Sequence, residues 1–190
     1  MQRLPKIILF NDTIYPDDVL MPLLKKAMHR TECAPTVVVV IKHIRTYTDG
    51  SAQPAKQYVK EHKGNTPNEI FPTNGAYITI RIPRPCYLRN CKTYIKNFNE
   101  KKDYNVTLGL ILAELFYAYA VHEFKHVADF QMKRYFDSEK VRYAKREQEW
   151  RANVTEKMAV NDVRLGFDDE ARLAIMVFAA IISKELKKNR

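Results

Sequence analysis

The strongest constraint on the fold is an apolar stretch that runs directly into two histidines. Residues 108–121, LGLILAELFYAYAV, carry one charged side chain, Glu114, and are apolar almost all round a helix. A helix that is hydrophobic on every face lies in a core, so the pattern predicts a buried helix over about residues 107–135. His122 and His126 follow in the sequence HEFKH. Residues four apart share one helical face, so we expect their imidazoles to converge on one point.

HEFKH has the HExxH arrangement of a zinc-binding helix. Glu123 lies about 100° round the helix from His122, so it flanks the point on which the histidines converge. A carboxylate in that position suits a general base for a zinc-activated water. A catalytic zinc needs three protein ligands and an open fourth position, so a third ligand must come from elsewhere. The alternative is a core helix whose histidines are satisfied by ordinary hydrogen bonds.

The next predicted helix, EKVRYAKREQEWRANVTEKMAV, offers candidate carboxylates. Glu149 is favoured because Ala152, one turn on, lets two helix backbones approach closely. Asn153 lies four residues after Glu149 on the same face, where its oxygen can accept from the second N–H of a ligand histidine. Glu147 has neither companion and is the alternative carboxylate, and the remaining alternative is that no carboxylate supplies the third ligand.

HEFKH on one helix and EWRAN on the next resemble the gluzincins, the thermolysin-type zinc metallopeptidases. In that family HExxH is completed by a glutamate in a pattern like ExxAD or ExxSD. The likeness covers roughly residues 75–160 and is most similar to the compact minigluzincin members. It implies a hydrolase that acts on a peptide or protein substrate and holds one zinc ion through His122, His126 and Glu149.

The same resemblance implies that Glu123 is the general base and that Asn153 is the hydrogen-bonding partner of a ligand histidine. It also implies that the strand around Tyr77–Ile82 is an edge strand that holds an extended substrate by main-chain pairing. The chain departs from the family at Lys125, a charge between the histidines, and at Asn153, which replaces the usual Asp. Metzincins do not fit, because His126 is not followed by xxGxxH.

Other candidates for the site stay open. Asp129, one turn after His126, could join the metal shell or support it from outside. Peptide hydrolysis also needs a hydrogen-bond donor for the developing oxyanion. The candidates for that role are Tyr77, Tyr135, Tyr143 and His43.

The remaining patterns predict an α+β, zincin-like fold with a small mixed or antiparallel sheet. Ile7–Phe10 and Thr36–Ile44 are predicted strands, and clean alternation predicts an edge strand over Gly75–Pro83, ended by prolines. A helix capped by Asp17 or Asp18 is expected between the first two strands. The polar stretch 46–74 is predicted to be a long loop.

We expect a single zincin-like domain over residues 1–190. Residues 1–74 supply the N-terminal helix, strands and loop, and residues 75–160 supply the metal-site core. Residues 161–190 supply a C-terminal helix, which follows a turn at Gly166 and is capped by Asp168. The second half of the chain is thus expected to contain three helices: the buried HExxH helix, the glutamate-bearing helix and the C-terminal helix.

The cysteine count and the N-terminus indicate a cytoplasmic protein. Three cysteines are an odd number, which argues against a secreted disulfide framework and for a reducing compartment. Cys86 and Cys91 lack a second pair of ligands for a metal. The four-residue apolar run Ile7–Phe10 is too short for a signal segment, and no stretch is long and apolar enough to predict a membrane span.

Charge is distributed unevenly along the chain, whose net charge is +10. Residues 1–105 carry 17 Lys and Arg against 9 Asp and Glu, whereas residues 106–190 carry 15 against 13. The segment Arg84–Lys102 holds six basic residues with interleaved aromatics. Weak binding of polyanions or nucleic acid is therefore an alternative function. The two functions are combined in a protease that acts on DNA-bound proteins. The candidate contacts of the segment are Arg84, Arg89, Lys92 and Lys96. A zincin fold that binds without cleaving is the third hypothesis.

Overall fold

The structure, a computed structural model, describes residues 6–33, 36–44, 48–55, 58, 75–84, 107–131 and 147–188. These residues form four strands and four helices, which confirms the predicted α+β class. The strands are β1 (Ile7–Asp12), β2 (Val37–Ile44), β3 (Asp49–Pro54) and β4 (Ala76–Pro83). The helices are α1 (Asp17–Arg30), α2 (Leu108–Gln131), α3 (Glu147–Arg164) and α4 (Asp169–Lys188).

The four strands form one mixed sheet in the order β1-β2-β4-β3. β1, β2 and β4 are parallel, and β3 runs antiparallel to β4. The prediction that β4 is an edge strand is therefore wrong, because β4 pairs on both sides. Its Pro83 is tolerated because it is the last residue of the strand, where Ile44 O accepts from the N–H of Arg84 instead. The strands at the two edges of the described sheet are β1 and β3.

β3 lies inside the stretch 46–74 that was predicted to be a loop. Its sequence, DGSAQP, contains no β-branched or aromatic residue, so local propensity gives no strand signal. Pairing with β4 from Asp49↔Arg81 to Pro54↔Ala76 overrides that propensity. An ion pair of 2.6 Å between Arg81 Nε and Asp49 Oδ1 joins the two strands at one end.

The alternation of β4 is as predicted and divides the sheet into two faces. Ile78 and Ile80 are buried in the main core with the helices, whereas Tyr77 is buried in a smaller cluster on the opposite face. α2 lies at the centre of the molecule and contacts the three other helices together with β3 and β4. Because other elements pack against α2 on several sides, its surface is apolar almost all round. Among the described helices, none has the length and apolar character to cross a membrane.

Among the helix ends that the structure describes, the start of α1 departs from the predicted signal, whereas the end of α3 and the start of α4 follow it. α1 is preceded by Pro16, whose carbonyl accepts the first helical hydrogen bonds, so neither Asp17 nor Asp18 is the N-cap residue. Gly166, at φ +78°, ends α3 with hydrogen bonds from Gly166 N to Val163 O and from Phe167 N to Asp162 O. Asp168 caps α4 by accepting from the N–H of Ala171 over 3.1 Å.

Three expectations lie outside the described residues. They are the end of the HExxH helix near Tyr135, the start of the following helix at Asp137 or Ser138, and the basic segment beyond Arg84. Arg84 itself follows β4 and is exposed.

Candidate metal centre

α2 and α3 together bring two histidines and a glutamate into one buried group. His122 and His126 lie one turn apart on α2, and Glu149 lies in the first turn of α3. All three are at most 7% exposed. Ala152, which was predicted to let the two helices approach closely, is fully buried. Together His122, His126 and Glu149, the metal group, could hold a metal ion.

The distances between the three ligand atoms match the dimensions of a small tetrahedral site. His122 Nε2 and His126 Nε2 are 3.0 Å apart, and Glu149 Oε2 lies 3.4 Å from the first and 3.3 Å from the second. Ligands about 2.0–2.1 Å from a tetrahedral zinc are separated by about 3.3–3.4 Å. Two imidazole lone pairs this close repel each other, so the arrangement requires a proton or a cation between them.

Glu156, not Asn153, is the hydrogen-bonding partner of His122. The Nδ1–H of His122 donates to Glu156 Oε2 over 3.0 Å. Asn153, which was expected to be the partner of a ligand histidine, is exposed, and at His122 that position is taken by the residue one turn further along α3. A carboxylate on Nδ1 fixes the ring so that Nε2 points to the metal group, and it makes that nitrogen more basic.

The surrounding carboxylates stabilise the charged form of His122. Burial favours the neutral ring, but hydrogen bonds to Glu149 and Glu156 and the nearby charge of Glu123 outweigh it and raise the pKa of His122 to about 9. A metal bound at Nε2 therefore displaces a proton at neutral pH.

Glu123 is buried against the edge strand. It is 4% exposed, and a Cβ atom built on Gly50 of β3 would lie 2.6 Å from Glu123 Oε1 and 2.8 Å from its Cγ. Only a glycine leaves room for the carboxylate there. Burial raises the pKa of Glu123 to about 7, with help from the charges of Glu149 and Asp49 and against the two histidines. A carboxyl group that titrates near neutral pH can both accept and donate a proton.

The structure separates the remaining acidic candidates from the metal group. Glu147 is exposed and forms an ion pair with Arg151. Asp129 is fully buried, 3.0 Å from Arg151 Nε and 3.2 Å from Lys125 Nζ. Lys125 therefore neutralises a buried carboxylate, and Asp129 ties α2 to α3 beside Glu149. Within the described part of the chain, Asp129 is not among the residues that could hold a metal ion, and its partners Lys125 and Arg151 are not candidate ligands.

The described oxyanion candidates lie away from the cluster. Tyr77 points to the opposite face of the sheet, where its ring stacks on Tyr58 with centroids 3.9 Å apart. His43 lies 3.2 Å from Ile82 O through Nδ1 and accepts the N–H of Ile14 at Nε2, so it joins the end of β4 to the segment between β1 and α1. Tyr135 and Tyr143 fall outside the described residues.

Two residues of the site were not predicted from the sequence. Glu156 lies seven residues after Glu149, two turns along the same helical face, so the i, i+7 spacing was a usable signal. Gly50 carries no such signal, because its contact with Glu123 depends on the pairing of β3 with β4.

Comparisons of this chain with protein-family models, with curated proteins and with solved structures find no match. A function for this chain therefore has to be inferred from the geometry of the site.

Proposed function

We propose that this protein is a zinc-dependent metallopeptidase. The observation that carries the proposal is the buried group of His122 Nε2, His126 Nε2 and Glu149 Oε2, separated by 3.0–3.4 Å. Two imidazoles and one carboxylate form a common donor set of catalytic zinc sites, which leave a fourth position open. A purely structural zinc site would have a fourth protein ligand, commonly a cysteine. The described Cys33 is buried in the main core with the sheet and helices.

Zinc is the metal that this donor set favours. Mg²⁺ and Ca²⁺ prefer oxygen ligands in larger shells, whereas two imidazoles with one carboxylate suit a tetrahedral ion of borderline softness. When bound, zinc would supply Lewis acidity that polarises a peptide carbonyl and acidifies water. The Glu156 carboxylate would hold His122 in the tautomer that such a centre requires.

Glu123 is the proton carrier in the proposed reaction. Its carboxylate takes the proton of the attacking water and then delivers it to the nitrogen of the leaving amine. Its pKa of about 7 suits both transfers near neutral pH. Because the charges of the two histidines oppose the effect of burial, a neighbouring cation favours the carboxylate form that starts the reaction.

The proposed binding site for the peptide is the outer edge of β3. This role was predicted for β4, but β4 lies inside the sheet. β3 lies at the edge of the described sheet and contacts α2, with Gly50 against Glu123. An extended peptide paired with β3 would therefore pass beside the proton carrier and be held by main-chain hydrogen bonds.

The metal assignment predicts different effects for two glutamates on one helix. Glu149→Ala should weaken zinc affinity by more than about 100-fold, because it removes a direct ligand. Glu147→Ala should leave the affinity unchanged, because that side chain is exposed. Competition with a chromophoric chelator measures both constants, and elemental analysis of His126→Ala gives a second reading. Equal affinities for the two glutamate variants would place the site elsewhere.

The catalytic assignment predicts that Glu123→Gln retains zinc and fold but loses hydrolysis. We expect kcat to fall by about 10²–10⁴-fold, since the amide cannot accept the proton. A peptide library with mass-spectrometric detection measures cleavage without assuming a sequence preference. Glu114→Gln, on the same helix and paired with Arg164, is the control. Parental activity in Glu123→Gln would refute the mechanism, and a zinc-loaded parent without activity would favour the fold that binds without cleaving.

A further inference from the structure

α4 has two apolar stripes on opposite sides, of which its own chain covers one. The buried stripe consists of Ala171, Ile175, Phe178, Ala179 and Ile182. The other stripe consists of Leu173, Met176, Val177 and Ala180, all exposed. Leu173 is 64% and Met176 56% exposed. A surface helix ordinarily carries polar residues on its outer face, and contiguous exposed apolar side chains mark an interaction surface.

We propose that this exposed stripe is the interface of a twofold-symmetric dimer, in which α4 of one copy packs antiparallel on α4 of a second copy. The spacing of the stripe is symmetric about a point between Met176 and Val177. A twofold axis at that point places Leu173 opposite Ala180 of the second copy, so that a large side chain meets a small one at each end. Such an isologous contact closes on itself and leaves no apolar stripe for a third copy.

Charge complementarity identifies a second copy as the occupant and fixes its direction. Asp169 and Lys184 continue the exposed stripe at its two ends, each four residues beyond the apolar part. The same twofold axis places Asp169 opposite Lys184 of the second copy. A parallel pair would place like charges side by side, which is unfavourable. Within the described part of the chain neither side chain forms an ion pair, so both charges are open to a partner.

The apolar surface extends beyond the helix at one end. Leu165 and Phe167, in the turn before α4, are 69% and 78% exposed. Along the helix axis, Asp169 and Lys184 are separated by about 22 Å at 1.5 Å per residue. Because the two helices of the proposed pair run in opposite directions, the turn with Leu165 and Phe167 lies beside the C-terminal end of α4 in the second copy. None of the metal-group residues belongs to α4, so changes in the stripe leave the proposed ligands intact.

Sedimentation velocity over a concentration series tests the dimer. The parent should have a mass of twice 22.3 kDa, and Met176→Glu should raise the dimer dissociation constant at least about tenfold by burying unpaired charge. Met158→Glu on α3 is the matched control, because Met158 is also 56% exposed but does not belong to the stripe. A parent that stays monomeric up to about 1 mM, or equal effects of the two variants, would overturn the proposal.

A charge exchange tests the antiparallel direction and does not depend on the apolar variant folding. Asp169→Lys and Lys184→Asp should each weaken the dimer, because each places like charges opposite one another. The double variant should restore parental affinity, since both contacts again join opposite charges. Circular dichroism and zinc content confirm that each variant is folded. Failure of the double variant to recover dimerisation would overturn the antiparallel interface.

Discussion

Three carboxylates close to two imidazoles give the site a strong preference for positive charge. Glu123 and Glu149 are buried beside His122 and His126, and the partly exposed Glu156 contacts His122 from the solvent side. Buried like charges are costly unless a cation or protons compensate them. A proton on His122, whose pKa is raised to about 9, supplies part of that compensation, and the raised pKa of Glu123, about 7, lets a proton reside there as well. A divalent cation between the ligand atoms satisfies the same requirement.

The partner of His122 leads to a prediction that separates Glu156 from Asn153. Glu156→Ala should weaken zinc affinity by about 10- to 100-fold, because the carboxylate orients the ring and raises its basicity. Asn153→Ala should have no effect on that affinity, because its side chain is exposed. Chelator competition at fixed pH gives both values. Glu156→Gln should retain more affinity than Glu156→Ala, since an amide oxygen can still accept from Nδ1.

The reverse order of affinities, with Asn153→Ala weaker than Glu156→Ala, would restore the role predicted from the family resemblance. Equal and parental affinities in both variants would show that the ring is held by packing alone.

The candidate ligands could be predicted because each depends on the geometry of one helix. Four-residue spacing places His122 above His126, and Ala152 identifies the face of α3 on which Glu149 lies. The i, i+7 spacing places Glu156 on the helical face of Glu149, but which residue of that face contacts His122 depends on the rotation and tilt of one helix against the other. That relation is set by tertiary contacts such as the pair between Arg151 and Asp129, which sequence spacing does not encode.

At the level of elements, Gly50 of β3 lies directly against the Glu123 side chain of α2. Gly50→Ala should lower kcat/KM by about 10- to 100-fold, because the new methyl group displaces the Glu123 carboxylate from its position. Zinc affinity should stay near the parental value, since Glu123 is not one of the three proposed ligands. Steady-state kinetics on any peptide cut by the parent, together with chelator competition, gives both readings.

Ser51→Ala is the matched control for Gly50→Ala. Ser51 is the next residue of β3 and lies on the opposite face of the sheet, because side chains alternate along a strand. An equal loss of activity in both variants would indicate general damage to β3. Parental activity in Gly50→Ala would show that the Glu123 carboxylate can move without cost.

The predictable elements were those with a strong local pattern. β2 and β4 are rich in β-branched residues, and α2 is apolar on all sides, so composition alone predicts their type. β3 carries no such pattern and forms because the adjacent β4 offers a free edge. The position of β4 inside the sheet was missed because β3 was predicted to be part of a loop. Without β3 as a neighbour, Pro83 indicated that β4 was an edge strand.

At the scale of the whole molecule, the charge excess and the metal group belong to different halves of the chain. Residues 1–105 carry a net charge of +8, and residues 106–190, which contain the metal group and α4, carry +2. An anionic partner is therefore expected to be attracted by the first half. A peptide paired with β3 would lie at the border between the halves, because β3 belongs to the first half and α2 to the second.

This distribution predicts weak, salt-sensitive binding of polyanions through the basic segment Arg84–Lys102. Each phosphate contact adds about 0.9 to the slope of log affinity against log salt for duplex DNA. Reversing the charges of Arg89, Lys92 and Lys96 should therefore flatten that slope by about 2–3 without changing zinc content. Fluorescence anisotropy with single- and double-stranded DNA, measured from low to physiological salt, gives the slope.

The matched control reverses the charges of exposed Lys157, Arg172 and Lys188, which lie in the half with less excess charge. This triple variant should change the salt slope less. An equal change in both triple variants would mean that net charge alone attracts DNA, and the absence of binding at low salt would remove nucleic acid as a partner.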